Sequence, residues 1–84
     1  MAGRPVVAFF VGNFNPTTGK SWCPDCREAD PVVKKVLAQT CPDLLMLSIE
    51  VGDKRAWRDD WNPFRTDPLF KLTNIPTLIR FALQ

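Results

Sequence analysis

The stretch Ser21-Trp22-Cys23-Pro24-Asp25-Cys26 follows an apolar run, precedes an amphipathic one, and predicts the start of a helix. Pro24 suits the first helical turn, where backbone N–H groups have no intrahelical partner. Cys23 would then lie at the helix N-terminus, where free N–H donors and the positive end of the dipole favour thiolate over thiol. Cys26 lies one turn further on, close enough to form a disulfide with Cys23. The stretch therefore predicts a thiol–disulfide site.

Length and composition restrict the class of protein. The 84 residues predict one domain over residues 1–84, with the apolar (45%) and charged (24%) fractions of an ordinary globular protein. A net charge of +2 is too small to favour nucleic acid or a membrane surface. The absence of histidine removes the commonest general base and metal ligand. An odd count of three cysteines favours a reducing compartment over a secreted disulfide framework.

The runs on either side of the cysteine motif predict a parallel βαβ unit. Val6–Val11 is continuous, β-branched and aromatic, which indicates a strand buried on both faces and far too short to span a membrane. A helix should run from Pro24 to about Gln39, and Leu44–Val51 should form the second strand. Such a crossover is right-handed. The connection over residues 12–20 is long, which indicates a functional rim. The apolar stripe of the helix comprises Ala29, Val32, Val33, Val36 and Leu37.

The second half of the chain predicts two short helices and a third strand. Residues 54–61 should form a helix with Trp57 and Trp61 on one face, where both would pack as core or sheet cover. Asp67–Leu72 should form another, with proline at its first position. Leu78–Leu83 predicts an apolar strand, which the chain enters through Ile-Pro-Thr.

The motifs also admit interpretations other than redox chemistry. Structural zinc normally needs four cysteine or histidine ligands, so three cysteines would require a carboxylate or a second chain, and we expect no metal. The two cysteines of the motif could also simply pack. The run Thr18-Gly19-Lys20-Ser21 has the end of a phosphate-binding loop, but Phe14 occupies the position of the first glycine. The tryptophan and proline around the first cysteine favour redox chemistry.

The sequence also predicts the environment or role of two further side chains, Cys41 and Trp22. Cys41 lies near the predicted helix end and is expected to be a small packing residue. Trp22 places a large flat apolar group beside the nucleophile, where it could dock a protein substrate or serve packing alone. Both interpretations of Trp22 stay open from the sequence.

The motif is part of a wider resemblance. Trp22–Cys26, together with Pro31 and the Ile75-Pro76-Thr77 run before a strand, resembles the thioredoxin superfamily. The Pro-Asp pair, Gly19-Lys20-Ser21 and the run Phe70–Leu78 narrow the resemblance to the Clot-type family of thioredoxin domain-containing protein 17. It covers nearly the whole chain. It implies an α/β thioredoxin-like fold with a central βαβ unit and an antiparallel strand led by a cis proline. Against the family pattern the fold is incomplete at both ends, without the first strand-helix and the last strand-helix.

The resemblance also implies a function. Members of the family are cytoplasmic protein-disulfide reductases without a bound cofactor, and they receive electrons from NADPH through thioredoxin reductase. The implied partners are disulfide-containing proteins or small disulfides, with Cys23 as nucleophile and Cys26 as resolving residue of a redox disulfide. Ordinary thioredoxins have a buried aspartate beneath this pair, and Ala8 aligns with it. The implied substrate-binding residues are Trp22, Pro24, Asp25, Ile75 and Pro76.

Two alternatives keep the fold but change the function. A shortened chain could be a catalytically weak binding module that competes for partners of the full-length protein. It could also be a redox-regulatory module, in which the disulfide state of Cys23 and Cys26 switches a partner surface. Turnover of a small disulfide separates catalysis from binding, and partner affinity that depends on oxidation state identifies a sensor.

Overall fold

A computed structural model describes residues 5–81 and shows an α/β fold. Its elements are β1 (Val6–Val11), α1 (Pro24–Thr40), β2 (Leu45–Glu50), α2 (Lys54–Arg58), α3 (Pro63–Thr66) and β3 (Thr77–Phe81). The three strands form one mixed sheet in the order β2-β1-β3. The parallel pairing of β1 with β2 confirms the predicted βαβ unit, and β3 runs antiparallel to β1.

The central strand β1 supplies the core of the molecule. All six of its side chains are buried, as its uninterrupted apolar sequence predicts. Successive residues of a strand point to opposite faces. Ala8 and Phe10 therefore pack under the segment that contains α2 and α3, in one hydrophobic cluster. Phe9 and Val11 point to the other face, where they pack against the start of α1. The candidate site lies on this second face.

Helix α1 follows the prediction closely in its bounds. It begins at Pro24, continues through Pro31 and ends at Thr40, one residue beyond the expected end. The predicted apolar stripe is only partly buried. Its residues Ala29 and Val33 pack against the β1 cluster, whereas Val32 and Val36 are 60% and 48% exposed.

Helix α2 is shorter than the sequence predicted. It ends at Arg58, because the N–H of the C-cap residue Asp59 donates to the Ala56 carbonyl and the Asp59 side chain accepts the N–H of Trp61 at 2.9 Å. Helix α2 therefore does not reach Trp61, and Trp57 and Trp61 do not share a helical face. Trp57 covers the sheet as expected, but Trp61 is 83% exposed and the prediction of core packing is wrong for it.

The second short helix lies elsewhere than predicted. The structure has a turn, not a helix, after Asp67, and α3 instead occupies Pro63–Thr66. The cause is local: the Asn62 side chain accepts the N–H of Phe64 at 2.9 Å and caps a helix that has proline at its start. Further on, Lys71 adopts a left-handed conformation (φ 42°), which a helix cannot contain.

The remaining strand boundaries differ by single residues. Strand β2 lacks the predicted end residues Leu44 and Val51, and β3 begins at Thr77, one residue early. The peptide bond between Ile75 and Pro76 is cis, as the family resemblance implied. Residues 82–83 of the predicted third strand lie outside the described residues. Between residues 5 and 81, none of the helices combines the length and the apolar character needed to cross a membrane.

Candidate dithiol site

The two cysteines of the motif meet at the start of α1. Cys23 is the N-cap residue, with extended backbone angles, and its Sγ accepts a hydrogen bond from the Cys26 N–H at 3.3 Å. Both cysteines are free thiols. Cys23 is 6% exposed and Cys26 is 1% exposed, so the first sulfur lies nearer to solvent and the second beneath it. The spacing in the sequence therefore produces the contact that a dithiol requires.

Burial gives Cys26 a distinct chemical state. Removal from water raises the pKa of the Cys26 thiol to about 12, and the hydrogen bond with Cys23 acts in the same direction. The Gly12 backbone N–H opposes this shift by favouring the thiolate. Because this pKa is far above neutrality, Cys26 remains protonated at pH 7 until its environment changes.

A serine fixes the backbone just before the nucleophile. Ser21 is 2% exposed, and its Oγ donates to the Gly12 carbonyl at 2.7 Å and accepts the Cys23 N–H at 3.2 Å. It therefore links the end of β1 to the start of α1. Ser21 also forms a β-bridge with Phe14 across the intervening loop.

The long connection over residues 12–20 is an ordered hairpin. The N–H of Asn15 donates to the Lys20 carbonyl at 2.8 Å, and the N–H of Gly19 donates to the Asn15 carbonyl at 2.7 Å. The Asn15 side chain also accepts the N–H groups of Thr17 and Thr18. Asx turns of this kind stabilise a loop locally. Residues 15–20 are exposed, so the predicted rim exists as a preformed element beside the cysteines.

Trp22 is held by the turn that follows β2. Its Nε1 donates to the Gly52 carbonyl at 2.9 Å. Asn13 forms two further hydrogen bonds with Gly52: its N–H donates to the Gly52 carbonyl at 3.0 Å, and its Oδ1 accepts the Gly52 N–H at 2.8 Å. The turn requires glycine, because Gly52 has φ 122°. The indole also packs closely against Gly12, where a Cβ would come within 2.6 Å of the ring. Sequence reasoning missed Asn13 and Gly52, although a glycine directly after each of the first two predicted strands was a visible signal.

Arg27 is a second residue that sequence reasoning missed. It lies one helical turn after Cys23, and its Nη1 donates to the Ser21 carbonyl at 2.9 Å and to the Trp22 carbonyl at 3.5 Å. The guanidinium group therefore fixes the segment that precedes the nucleophile. Together with Lys20 it lines the concave surfaces on both sides of the hairpin.

The structure brings most of the predicted site residues together. Trp22 and Ile75 both pack against the cluster that contains Cys23 and Cys26, although Ile75 comes from the far end of the sequence. Pro24 and Asp25 are exposed on the first turn of α1. Pro76 follows Ile75 in the cis peptide and is half-buried. Their roles in substrate binding stay predictions.

One alignment made from the family resemblance is wrong. Ala8 is 2% exposed but points to the opposite face of the sheet from the cysteines, so it does not lie beneath them. The β1 residue that packs against Cys23 and Cys26 is Phe9. The position under the pair is therefore aromatic.

Cys41 does not pack as expected. It is exposed at the C-cap of α1, where its N–H donates to the Leu37 carbonyl at 2.9 Å. Within the described part of the chain, no three cysteine, aspartate or glutamate side chains converge in a way that could hold a metal ion.

Taken with the sheet topology, a dithiol at the N-terminus of the crossover helix and a cis Ile75–Pro76 peptide whose isoleucine packs against it define a thioredoxin-like domain. The family model described as "Thioredoxin domain-containing protein 17-like, thioredoxin domain" matches residues 1–84, and the chain belongs to this family.

Individual relatives support this assignment. The chain is 43% identical over 72 residues to Thioredoxin-like protein Clot of Arabidopsis thaliana, covering 86% of this chain and 54% of the relative. It is 42% identical over 80 residues to Thioredoxin domain-containing protein 17 of Mus musculus, covering 95% and 63%. It is 37% identical over 83 residues to Thioredoxin-like protein Clot of Oryza sativa subsp. japonica, covering 94% and 60%. The chain thus spans between half and two thirds of the length of these relatives.

Proposed function

We propose that the protein is a thiol–disulfide oxidoreductase that reduces disulfides in other proteins. The observation that carries the proposal is the paired geometry of Cys23 and Cys26, with one sulfur at a helix N-terminus and the other buried one turn behind it. Membership of the thioredoxin-like family supports this type of chemistry in general. The asymmetry of the two thiols supports Cys23 as the nucleophile and Cys26 as the resolving residue.

The reaction proceeds in two exchange steps. The Cys23 thiolate attacks one sulfur of a target disulfide, that bond breaks, and one target thiolate leaves while a mixed disulfide forms. Cys26 then gives its proton, directly or through solvent, to the target thiolate released in the first step, and its sulfur attacks the Cys23 sulfur. The mixed disulfide breaks, the Cys23–Cys26 disulfide forms, and the target leaves with two electrons as a dithiol. Burial and the raised pKa of Cys26 favour Cys23 as the first nucleophile, which supports this order of steps.

The surroundings of the pair would form the binding surface for the target. Trp22 and Ile75 provide apolar contacts beside the cysteines, and the backbone next to the cis proline Pro76 would pair with an extended substrate strand. Pro24 and Asp25 border the approach to Cys23 from α1. We assign substrate binding to these five residues.

A complete cycle needs an external reductant. The protein would act without a bound cofactor, and thioredoxin reductase with NADPH would return electrons to the Cys23–Cys26 disulfide. Proteins with accessible disulfides and small disulfides would be the oxidised partners. A reducing compartment such as the cytoplasm would keep both thiols available.

Trapping of the mixed disulfide tests the mechanism directly. The Cys26→Ser variant should accumulate a covalent adduct with a disulfide-containing protein, because the resolving thiol is missing, and reducing agent should release it. Cys23→Ser should form no adduct at this site and should lose turnover. Cys41→Ser is the matched control, since it removes an exposed thiol outside the site and should leave turnover unchanged.

Two outcomes would contradict the proposed mechanism. If the Cys23→Ser and Cys26→Ser variants, shown to be folded by circular dichroism, keep full turnover of insulin disulfides, the proposed mechanism is wrong. If the folded parent protein has no turnover but binds disulfide-containing partners, the binding-module alternative replaces it.

A further inference from the structure

Arg27 folds back over the residues that lead into the nucleophile. Its backbone N–H donates to the Cys23 carbonyl at 3.0 Å, as in any helix. Its Nη1 donates to the Ser21 carbonyl at 2.9 Å and to the Trp22 carbonyl at 3.5 Å. One residue therefore holds three consecutive carbonyl groups. We call the two hydrogen bonds from its side chain the Arg27 clamp.

The position of Arg27 in the sequence explains the clamp. Arg27 lies four residues after Cys23, and the side chains of an α-helix lean towards its N-terminus, so a long side chain here covers the turn that contains Cys23. The guanidinium group carries several N–H donors in a planar fork, whereas lysine has a single ammonium group. Arginine at this position therefore reaches two carbonyl groups that lysine would hold only in part.

The donor groups of the same segment are held by Ser21. Its Oγ accepts the Cys23 N–H at 3.2 Å and donates to the Gly12 carbonyl at 2.7 Å. The carbonyls of Ser21 and Trp22 lie outside the backbone hydrogen bonds of α1, whose first residue is Pro24. The Arg27 clamp supplies donors for these two carbonyls. The main chain before Cys23 is therefore held both at its donors and at its acceptors.

The clamp acts locally and not on the stability of the whole fold. Arg27 is exposed, and a hydrogen bond that water can replace makes a small net contribution to the free energy of unfolding. Ordering a side chain as long as arginine costs conformational entropy, which opposes that contribution. What remains is the restriction of the main chain beside Cys23.

Net charge does not explain the arrangement. Arg27 takes part in neither ion pair that the structure describes between residues 5 and 81. The concave surface that it lines with Lys20 also contains the carboxylates of Glu28 and Asp30, so this surface has mixed charge. The polar contacts of the guanidinium group are with carbonyl oxygens. Its role is therefore inferred from these contacts and not from its charge.

We propose that Arg27 is a positioning residue for the first exchange step, in which Cys23 attacks a target disulfide. This inference rests on the proposed function, because it assigns Arg27 a part in that reaction. The Cys23 sulfur forms a bond to one target sulfur, the target disulfide breaks, and its electron pair leaves with the other sulfur as a thiolate. Arg27 exchanges no proton and fixes the main chain of Cys23, so that the attacking sulfur is aligned with the bond that breaks.

The rate of a single exchange at Cys23 tests the proposal. In a Cys26→Ser, Cys41→Ser background, Cys23 is the only thiol and reacts once with dipyridyl disulfide, a neutral chromogenic probe. Arg27→Met should lower the second-order rate constant by about threefold to thirtyfold, which is less than the roughly hundredfold loss that a 1 Å misplacement can cause. Arg27→Lys should recover part of the loss.

Lys35→Met is the matched control. It removes an exposed positive charge from the same helix, eight residues further along, and should leave the rate constant unchanged. Urea unfolding should give nearly the same midpoint for Arg27→Met, Lys35→Met and the parent. A rate constant in Arg27→Met equal to that of the parent, an equal loss in Lys35→Met, or a loss that accompanies a large fall in the midpoint would each overturn the proposal.

Two comparisons separate positioning from an effect of charge. The loss in Arg27→Met should be present with the neutral probe and should persist at the plateau of the pH–rate profile, where all of Cys23 is thiolate. A loss confined to the anionic probe dithiobis(nitrobenzoate) would mean that Arg27 attracts the probe. A loss that vanishes at the plateau would mean that Arg27 acts on ionisation of the thiol. Either result would overturn the proposal.

Nuclear magnetic resonance of the unaltered protein tests the clamp without any variant. The hydrogen bonds to the two carbonyls should slow rotation of the Arg27 guanidinium group and give separate Nη1 and Nη2 signals. A single averaged signal would show that the clamp does not persist in solution, and the proposal would fail however the variants fold.

The outcomes also distinguish this inference from the proposed function. If the unaltered protein does not reduce insulin disulfides but exchange at Cys23 slows in Arg27→Met, the reductase proposal fails and the positioning role at Cys23 stands. If the unaltered protein reduces insulin and Arg27→Met exchanges at the parental rate, the positioning role fails and the reductase proposal stands.

Discussion

Substitution of Gly12 by alanine should dislodge the indole that borders the dithiol. An added Cβ would meet Trp22 Cε2 at 2.6 Å and Nε1 at 2.7 Å, about 1 Å inside ordinary carbon contact. The ring must move away by roughly that distance. Its hydrogen bond to the Gly52 carbonyl, now 2.9 Å, would then be too long to persist.

The energetic cost has two parts. Overpacking of a well-filled site costs about 1–3 kcal/mol, and loss of one hydrogen bond costs about 0.5–1.5 kcal/mol. We therefore expect Gly12→Ala to lower the free energy of unfolding by about 2–4 kcal/mol. A domain of this length has a total stability of about 4–13 kcal/mol, so the loss is a large fraction of it.

Urea unfolding measures the change in the free energy of unfolding, and hydrogen exchange of the Trp22 indole N–H measures the loss of its hydrogen bond to Gly52. The indole proton should exchange markedly faster in Gly12→Ala than in the parent. Gly19→Ala is the control, because no atom lies within 4 Å of its added Cβ and its cost, from φ 71°, is about 1–2 kcal/mol without any effect on the indole. Parent-like stability and unchanged indole exchange in Gly12→Ala would refute the reasoning.

Three more predictions follow from buried polar groups. Ser21→Ala should lower the free energy of unfolding by about 1–3 kcal/mol, because the Cys23 N–H and a carbonyl lose their partner; urea unfolding tests this, and an unchanged midpoint would contradict it. Asn62→Ala should cost about 2–4 kcal/mol, since three hydrogen bonds are lost, one of them the cap of α3. Asn62→Asp should cost at least as much although it keeps the cap acceptor, because it sets a buried carboxylate against the Val51 and Ala56 carbonyls; a much smaller loss in Asn62→Asp would show that these two donated bonds contribute little. Between pH 9 and about 12 the unfolded chain loses the Cys26 proton while the folded chain keeps it, so stability should fall as pH rises, by at most about 1.4 kcal/mol per pH unit. This slope should be absent in Cys26→Ala and present in Cys41→Ala, and equal slopes in both variants would show that other groups cause it.

The central βαβ unit and the dithiol could be predicted because their signals are local. Val6–Val11 is an uninterrupted apolar run, which is typical of a strand buried on both faces. A proline between two cysteines marks the start of a helix with little ambiguity. The site residue Ile75 could be predicted only through the family resemblance, because its approach to Cys23 depends on an antiparallel pairing across most of the chain.

The segment from residues 54 to 72 resisted prediction because capping decides its structure. Periodicity favoured one helix with Trp57 and Trp61 together, but the side chain of Asp59 stops it. The prediction placed Pro68 at the first position of a helix, but the proline that starts a helix is Pro63, because the preceding Asn62 side chain caps it. These short-range hydrogen bonds compete on nearly equal terms, and a sequence pattern does not rank them.

The sheet order also has a consequence for synthesis of the chain. Strand β1 pairs with both neighbours, and β2 and β3 do not pair with each other, so every inter-strand ladder in the sheet runs through β1. Yet β1 leaves the ribosome before either partner has been made. The nascent chain must therefore carry its most apolar strand unpaired until β2 arrives after the whole crossover helix, and until β3 arrives later still. Slowly translated or stalled chains would be the ones most exposed to chaperone capture or aggregation.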